Sequence, residues 1–434
     1  MTYPNNQEQH NEREITLKRQ NRNLTVLSDT SATEPAKEEL DSSWSRLIRR
    51  RKFLQGLGAA GVAGTALPAT TLFAKNDNKL SKGDANLLQL ALTIELIEAD
   101  LWQQYNELGG AVDKNDQPNP GNPAYIAALQ NLDGDMPQYI SDNTDDEISH
   151  AAFLAAYLKS KGEVPVDLTP FANLQGSKAT GAAGVGRITN LLSLNVDTSW
   201  YFRYRSTQNP DLGATFPQLL NITNQPAIPL NDTDTPPGTS TTLFQPPITD
   251  PKALRMQAIA NTAGFHFAFI EQGGSSLYPI LALKATSREV LRILLSIGGV
   301  EIDHFSLWHD KGANATAQPL AGPNGLTDPE TGLTFPDFNN PANQHNAQLS
   351  AQDQAAGSQM FQTNLILPEP CEFLSPDFPP VSIIRPTLTQ NGGAVATIQS
   401  FTADNLFLHQ SKAFFELVME VAMAADAVRS EGEE

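Results

Sequence analysis

Six side chains of the 434-residue sequence have the types and the spacing to hold metal ions. Glu95 stands alone and is followed by the pair Glu147 and His150; Glu271 stands alone and is followed by the pair Glu301 and His304. Within each pair the residues lie at i and i+3. On a helix both then project from one face and can grip one centre. Four carboxylates and two imidazoles suit a pair of divalent ions of intermediate hardness, with shared carboxylates holding the two close. A Glu from each of two helices, plus Glu-x-x-His from each of two others, is the ligand set of a di-iron or di-manganese carboxylate bundle. Without cations, burying so much charge would cost several kcal/mol per group.

The elements that must position these groups read as four amphipathic helices. Around Glu301 the stripe Val290, Leu294, Ile297, Glu301, His304, Trp308 follows the 3, 4 spacing of a core face, and Ala260, Gly264, Phe267, Glu271, Gly274, Tyr278 does the same around Glu271. A charged residue inside an apolar stripe is informative where an exposed one is not. One Glu-x-x-His arises easily by chance in a chain with seven histidines; here it occurs twice. Each copy trails a helix whose Glu has an aromatic seven residues on, Trp102 after Glu95 and Tyr278 after Glu271. Glu98, with Tyr105 seven residues on, is a rival for Glu95, and periodicity alone leaves both open. Asp146, Tyr105 and Tyr278 are candidates to support the ligands from behind. For Asp146 the alternative is a carboxylate favoured near a helix N-terminus. His266 and His309 fall off the ligand faces and read as ordinary core or surface histidines.

These residues resemble the ferritin-like superfamily, in particular its exported bacterial branch and the related desiccation-associated proteins. LTIELIEADLW (92–102) is similar to that branch's first-helix signature, and DEISH (146–150) to the DExxH of di-iron oxidases. The resemblance covers the four bundle helices. It implies an antiparallel four-helix bundle whose metal ligands are Glu95, Glu147, His150, Glu271, Glu301 and His304, and it favours Glu95 over Glu98. Trp102 stands where many members carry tyrosine, a departure that argues against a redox tyrosine near that helix.

The expected fold class is therefore mainly α, a four-helix bundle with a fifth, C-terminal helix and two long irregular insertions. Bundle helices 1 and 2 fall in 80–163, the first from about 85 to 108 with Asp84 as N-cap, the second over 141–162 with Asp142 or Asn143 as cap. Helices 3 and 4 fall in 251–312, the fourth starting near Ser287; Gly273 and Gly274 weaken the third beside Glu271 and suggest a close approach or a π-bulge. The first insertion, 164–250, carries an expected short helix at 185–192 and the cluster Trp200, Tyr201, Arg203, Tyr204, Arg205, which reads as a small core beneath a long loop. A second long region rich in Pro, Gly and Asn, 313–400, includes His345 in a polar loop and the strand-like VSIIRP. An amphipathic helix over about 403–429 closes the chain, with His409 structural.

The first 44 residues, His10 among them, are polar and aperiodic and read as a disordered extension. Residues 45–74 resemble a twin-arginine signal: Arg50-Arg51-Lys52-Phe53-Leu54, then a Gly/Ala-rich run and a cleavage region near Ala74. The run is too short and too rich in glycine to span a membrane stably. The implied location is periplasmic or otherwise extracytoplasmic, and the implied partner during export is the twin-arginine translocase. A net charge of −19 argues against nucleic acid. The single cysteine, Cys371, excludes an intramolecular disulfide and reads as buried and inert.

The functional expectation is a redox centre of two iron or manganese ions acting on dioxygen, peroxide or ferrous iron, as a ferroxidase or a catalase-like oxidoreductase. The alternative is a non-catalytic exported scaffold, stress-protective or for interaction, with a structural or vestigial metal site. Iron storage in a cage ranks last, because two large insertions would obstruct symmetric packing.

Overall fold

A computed structural model describes residues 79–429 apart from 114, 116, 204–217, 237–240, 313–314, 316–324, 338–339, 341–374, 376 and 384–392. The polar extension, the twin-arginine segment, Tyr204, Arg205, His345 and Cys371 lie outside the described residues.

Four long helices carry the structure: α1 (Lys82–Gly109), α3 (Met136–Ser160), α4 (Pro251–Lys284) and α5 (Arg288–Lys311), with the short α2 (Pro123–Gln130) between the first two. Local chemistry sets their starts. Ser81 caps α1 by accepting from the Asp84 N–H, and Asp250 caps α4 by accepting from the N–H groups of Lys252 and Ala253, with Pro251 just inside. Ser287 caps α5 in the same way. Asp84, expected as the first cap, instead reaches the α4–α5 link. Its carboxylate accepts from Thr286 N and Oγ1 at 2.9 and 2.8 Å and from Ser287 N at 3.1 Å.

Antiparallel packing follows from the contacts. Glu95 of α1 meets His150 of α3 while Gln89 meets Val164 and Val166 just beyond α3, so these two helices run oppositely. Tyr105 meets His266 and Glu95 meets Tyr278, so α1 and α4 also run oppositely. Helices α3 and α4 therefore point the same way, and the chain must travel back along the bundle between them. An α3 of 25 residues spans about 37 Å, which is why a long connection is needed here and a short one suffices between α4 and α5.

That connection is packed onto the bundle. It holds the antiparallel pairs β1 (Leu174–Gln175) with β2 (Gly186–Arg187), and β3 (Leu194–Val196) with β4 (Ile222–Gln225). The helix expected over 185–192 is not formed. Gly184 at φ +68° breaks the run, and a Cβ on Gly186 would lie 2.1 Å from the Ala172 carbonyl oxygen. Asp100 of α1 pins the segment, its Oδ2 accepting from Ile188 N, Thr189 N and Thr189 Oγ1 at 3.0, 2.8 and 2.6 Å. Trp200 and Tyr201, on one helical turn (Trp200–Arg203), are buried against Phe265 of α4 and belong to the main core rather than to a separate small one.

Four further boundaries differ from expectation. Residues 123–130 form a helix in a stretch the sequence reading left without one, because Asn122 accepts from Tyr125 N and Pro123 occupies the first turn. Helix α3 begins at Met136 with Pro137 in its first turn, so Asp142 and Asn143 are internal and not caps. Helix α4 stays α-helical through Gly273 and Gly274, with no π-bulge. The C-terminal helix is two: α6 (Ala394–Ala403) and α7 (Lys412–Asp426), separated where Asn405 and His409 take positive φ of 63° and 73°. Helix α7 buries Phe414, Val418, Ala422 and Ala425 and lies on α1, the fifth helix on the bundle. A last strand pair, β5 (Leu326–Thr327) with β6 (Thr334–Phe335), packs against α4, where Phe335 meets Phe265. No helix among the described residues is long and apolar enough to cross a membrane.

Candidate metal centre

The four long helices bring all six candidate ligands together. Glu95, Glu147, Glu271 and Glu301 have no exposed surface, and His150 and His304 are 8% and 6% exposed. Their ligand atoms form two groups, Glu95/Glu147/His150/Glu301 and Glu147/Glu271/Glu301/His304, each with all its atoms within 4.8 Å of one another. Glu147 and Glu301 belong to both groups. Glu95 with His150, and Glu271 with His304, close opposite ends.

The two oxygens of Glu147 are already divided between the ends. Its Oε2 lies 3.4 Å from His150 Nδ1, and its Oε1 lies 3.1 Å from His304 Nδ1. His150 Nδ1 is also 3.2 Å from Glu95 Oε2 and 3.6 Å from Glu301 Oε1, while His304 Nδ1 is 3.3 Å from Glu271 Oε2. In both imidazoles Nδ1 faces the acids. Both oxygens of Glu301, Glu271 Oε2 and His304 Nδ1 are buried without a hydrogen-bond partner among the described residues. Buried polar atoms are ordinarily paired, and donors this convergent are satisfied by cations placed between them, so the residues fit a metal pair.

Other side chains hold the ligands in place. His304 Nε2 donates to Asp146 Oδ2 at 3.1 Å, which leaves Nδ1 free to bind. Asp146 sits ten residues inside α3, so it is no helix-end carboxylate. The Tyr278 hydroxyl donates to Glu95 Oε1. Asn143, which the sequence reading offered only as a helix cap, donates from Nδ2 to Glu147 Oε1 at 2.8 Å and to Glu271 Oε1 at 3.1 Å, and its Oδ1 accepts from Trp308 Nε1 at 2.6 Å. Its one signal in the sequence is its place four residues before Glu147, on the same helix face. Tyr105 does not face the ligands; its hydroxyl pairs with His266 Nδ1 at 2.7 Å. His309 packs on Trp200 and Phe305.

The structure separates the rival glutamates. Glu95 enters a ligand group, whereas Glu98, one turn on, lies outside both groups yet is fully buried with neither oxygen partnered among the described residues. Burial, then the charges of Glu301, Glu147, Glu95 and Glu271, drive its carboxyl well above the usual range, toward the neutral acid.

Electrostatics elsewhere in the centre follow the same physics. Burial and the Glu147 charge push Glu95 up to about 8. Burial also raises Glu271, and with the Glu147 charge raises Glu301. For Glu147 burial pulls upward, but the adjacent His150 and His304 imidazoles outweigh it and hold the group at about 2. Against burial, Glu147 and Glu95 lift His150 to about 11, and Glu271, Asp146 and Glu147 lift His304. Without metal, protons do the neutralising.

Gly274 makes room for the shared Glu301. A Cβ there would stand 2.2 Å from Glu301 Oε2 and 3.0 Å from its Cδ. Gly274→Ala should therefore weaken metal binding by about tenfold or more, read by titration. The metal-free melting temperature should hold or rise, because Ala favours a helix by about 1 kcal/mol over Gly.

His266 gives a pH prediction. Burial lowers its imidazole from 6.5 to about 3. Between those values the unfolded chain binds a proton that the native state refuses, so stability rises with pH in that window and is lost as pH falls from about 6.5. The loss attributable to His266 should reach about 2 kcal/mol near pH 5. Urea unfolding of the wild type and His266→Phe across that range should show a shallower acid limb in the variant.

No curated protein and no solved structure matches the chain significantly. A family model described as a ferritin-like domain matches residues 83–311, from the start of α1 to the end of α5. With that match over more than half its length, and with its helices converging buried carboxylates and imidazoles on one centre, the chain belongs to the ferritin-like family.

Proposed function

We propose that this is an exported ferritin-like protein that binds two iron or manganese ions and uses them in redox chemistry with dioxygen, peroxide or ferrous iron. The observation that carries the reading is the pair of ligand groups sharing Glu147 and Glu301. Two such ions, held by Glu95, Glu147, His150, Glu271, Glu301 and His304, would supply electron exchange with small oxidants. The residues do the rest. Glu95, His150, Glu271 and His304 each close one end, and Glu147 and Glu301 span both. Asp146, Tyr278 and Asn143 fix the orientation of the ligands before metal arrives, which lowers the cost of ordering them. Glu98 offers a carboxyl group in its neutral form beside the centre, able to hand a proton inward. The export assignment rests on the twin-arginine-like stretch at 50–54.

Elemental analysis of protein folded in the cytoplasm should find about two iron or manganese ions per chain. Peroxide consumption and ferrous oxidation, assayed side by side on the loaded protein, then decide the reaction. Correctly folded protein that takes up neither metal would overturn the proposal. Fusing residues 1–80 to a reporter that folds in the cytoplasm tests export: loss of export in an Arg50/Arg51→Lys pair supports the twin-arginine route.

A further inference from the structure

The outer face formed by α3 and α5 is laid out as a surface that can meet a copy of itself. The two helices lie side by side and antiparallel. Lys161 Nζ meets Glu289 Oε2 at 2.7 Å at one end of the seam, and His304 Nε2 meets Asp146 Oδ2 at 3.1 Å at the other. Halfway between these contacts Phe153 of α3, 51% exposed, stands level with residues 296 and 297 of α5 and stacks on Tyr157. On α5 the exposed residues Arg292, Ser296, Gly299 and Asp303 follow the 4, 3, 4 spacing of a single stripe. Arg292 and Asp303, with Arg288 one turn before Arg292, make no ion pair among the described residues.

From this arrangement we propose that the α3–α5 face is the interface of a homodimer, in which α5 lies antiparallel along its counterpart and Arg292 pairs with Asp303 of the partner subunit.

Three observations meet in that geometry. The first is charge. The face is acidic at the His304 end, through Asp142, Asp146 and Asp303, and basic at the other, through Arg288 and Arg292. A two-fold axis across the middle of the seam lays each acidic end over the opposite basic end. The chain carries a net charge of −19, so most other ways of joining two copies set acid against acid.

The second is register. A symmetric pairing of Arg292 with Asp303 requires the axis to pass midway between them, at residues 297 and 298. That is within about one residue, or ~1.5 Å, of the level of Phe153. The same axis therefore brings Phe153 against Phe153 of the partner subunit and buries an exposed aromatic at the centre of the interface, where such residues contribute most.

The third is Gly299. Its neighbour Gly298 is required within the chain, since a Cβ there would lie 2.6 Å from Tyr278 Cβ, whereas a Cβ on Gly299 would meet nothing within 4 Å. Glycine weakens a helix relative to alanine, and no described residue demands it at this position. With Ser296 it flanks the axis with small side chains, so a second helix can approach closely. The 24 residues of α5 span about 36 Å, and two helices side by side are about 20 Å wide. The face thus offers roughly 700 Å², near the ~800 Å² that each partner gives to a stable interface.

Sedimentation velocity on the full-length chain tests the inference, which stands apart from the metal reading; a chain that binds no metal leaves it intact. At about 50 μM the wild type should sediment as a dimer. Arg292→Glu and Asp303→Arg each set like charges together at two symmetry-related places and should weaken association about 100-fold or more. Combining the two exchanges the signs and should restore association to within about tenfold of the wild type. Gly299→Trp fills the space beside the axis and should give monomers. All three positions are exposed, so far-ultraviolet circular dichroism should match the wild type in every variant. Should Gly299→Trp fail to fold, the charge exchanges decide by themselves. A wild-type monomer at that concentration overturns the inference and leaves the face to a partner of another kind. A dimer that survives both Arg292→Glu and Asp303→Arg overturns it as well, by placing the interface elsewhere. Loss of the dimer in each single variant without recovery in the double one overturns the Arg292–Asp303 pairing.

Discussion

Replacing Glu301 with alanine should empty both ends of the centre at once. Glu301 contributes to both ligand groups, whereas Glu95 and Glu271 each contribute to one. Metal content should therefore fall from about two ions per chain to near none in Glu301→Ala, and to about one in Glu95→Ala or Glu271→Ala. Stability separates a ligand from a structural residue. In the metal-free protein Glu301 is a buried carboxyl facing the charges of Glu147, Glu95 and Glu271. Burial and those charges hold it in the neutral form, which an amide mimics, so Glu301→Gln, which keeps the volume, should melt no lower than the metal-free wild type. Metal at a thousandfold excess over Kd stabilises the wild type by about 4 kcal/mol, seen as a rise of several degrees in Tm; the variants should show almost none. A full complement of metal in Glu301→Ala would rule out the shared-carboxylate arrangement.

Metal affinity should depend steeply on pH. With Glu95 at about 8 and His150 at about 11, both are protonated at neutral pH in the metal-free protein, and Glu301 and His304 are raised as well. Each must shed its proton to bind, so loading releases protons and affinity falls as pH drops. Every proton displaced contributes about tenfold per pH unit, so a decrease from about pH 8 to pH 6 should weaken binding by 10²-fold or more. Calorimetry in buffers of different ionisation enthalpy counts the protons directly. An affinity flat across that range would mean the ligands are already ionised and held by something other than protons. The His266 effect on folding is separate, because that imidazole loses its proton on burial and takes no part in binding.

How much of this could be read from the chain depended on whether the signal was local. The four bundle helices carry periodic apolar stripes, Ser287 marks the start of the last, and the two Glu-x-x-His pairs put chemistry on known faces; these were legible. So was the Gly274 region as a point of close approach, though the reason is the Glu301 carboxylate and not a bulge. Asn143 was misread as a cap, because its partners Glu147, Glu271 and Trp308 come from three helices and no sequence spacing reports the last two. Residues 185–192 were read as a helix, but Gly184 takes φ +68° and Gly186 lies against the Ala172 carbonyl, neither of which composition shows. The break between α6 and α7 turns on Asn405 and His409 adopting left-handed backbone, which their side chains permit and do not announce. Tyr105 looked like a neighbour of the ligands by helical spacing. It faces instead a histidine 161 positions away.

The division of ligands among the helices has a consequence for assembly. The hairpin-like pair α1 and α3 supplies Glu95, Glu147 and His150, while α4 and α5 supply Glu271, Glu301 and His304. Each pair lends one carboxylate to the other's ligand group, so neither completes a group by itself. On the proposed function, loading would report that both halves of the polypeptide have docked, and the cations would act as a clasp across the seam between them. A chain whose halves have come together out of register would be left with the acids and no charge to answer them.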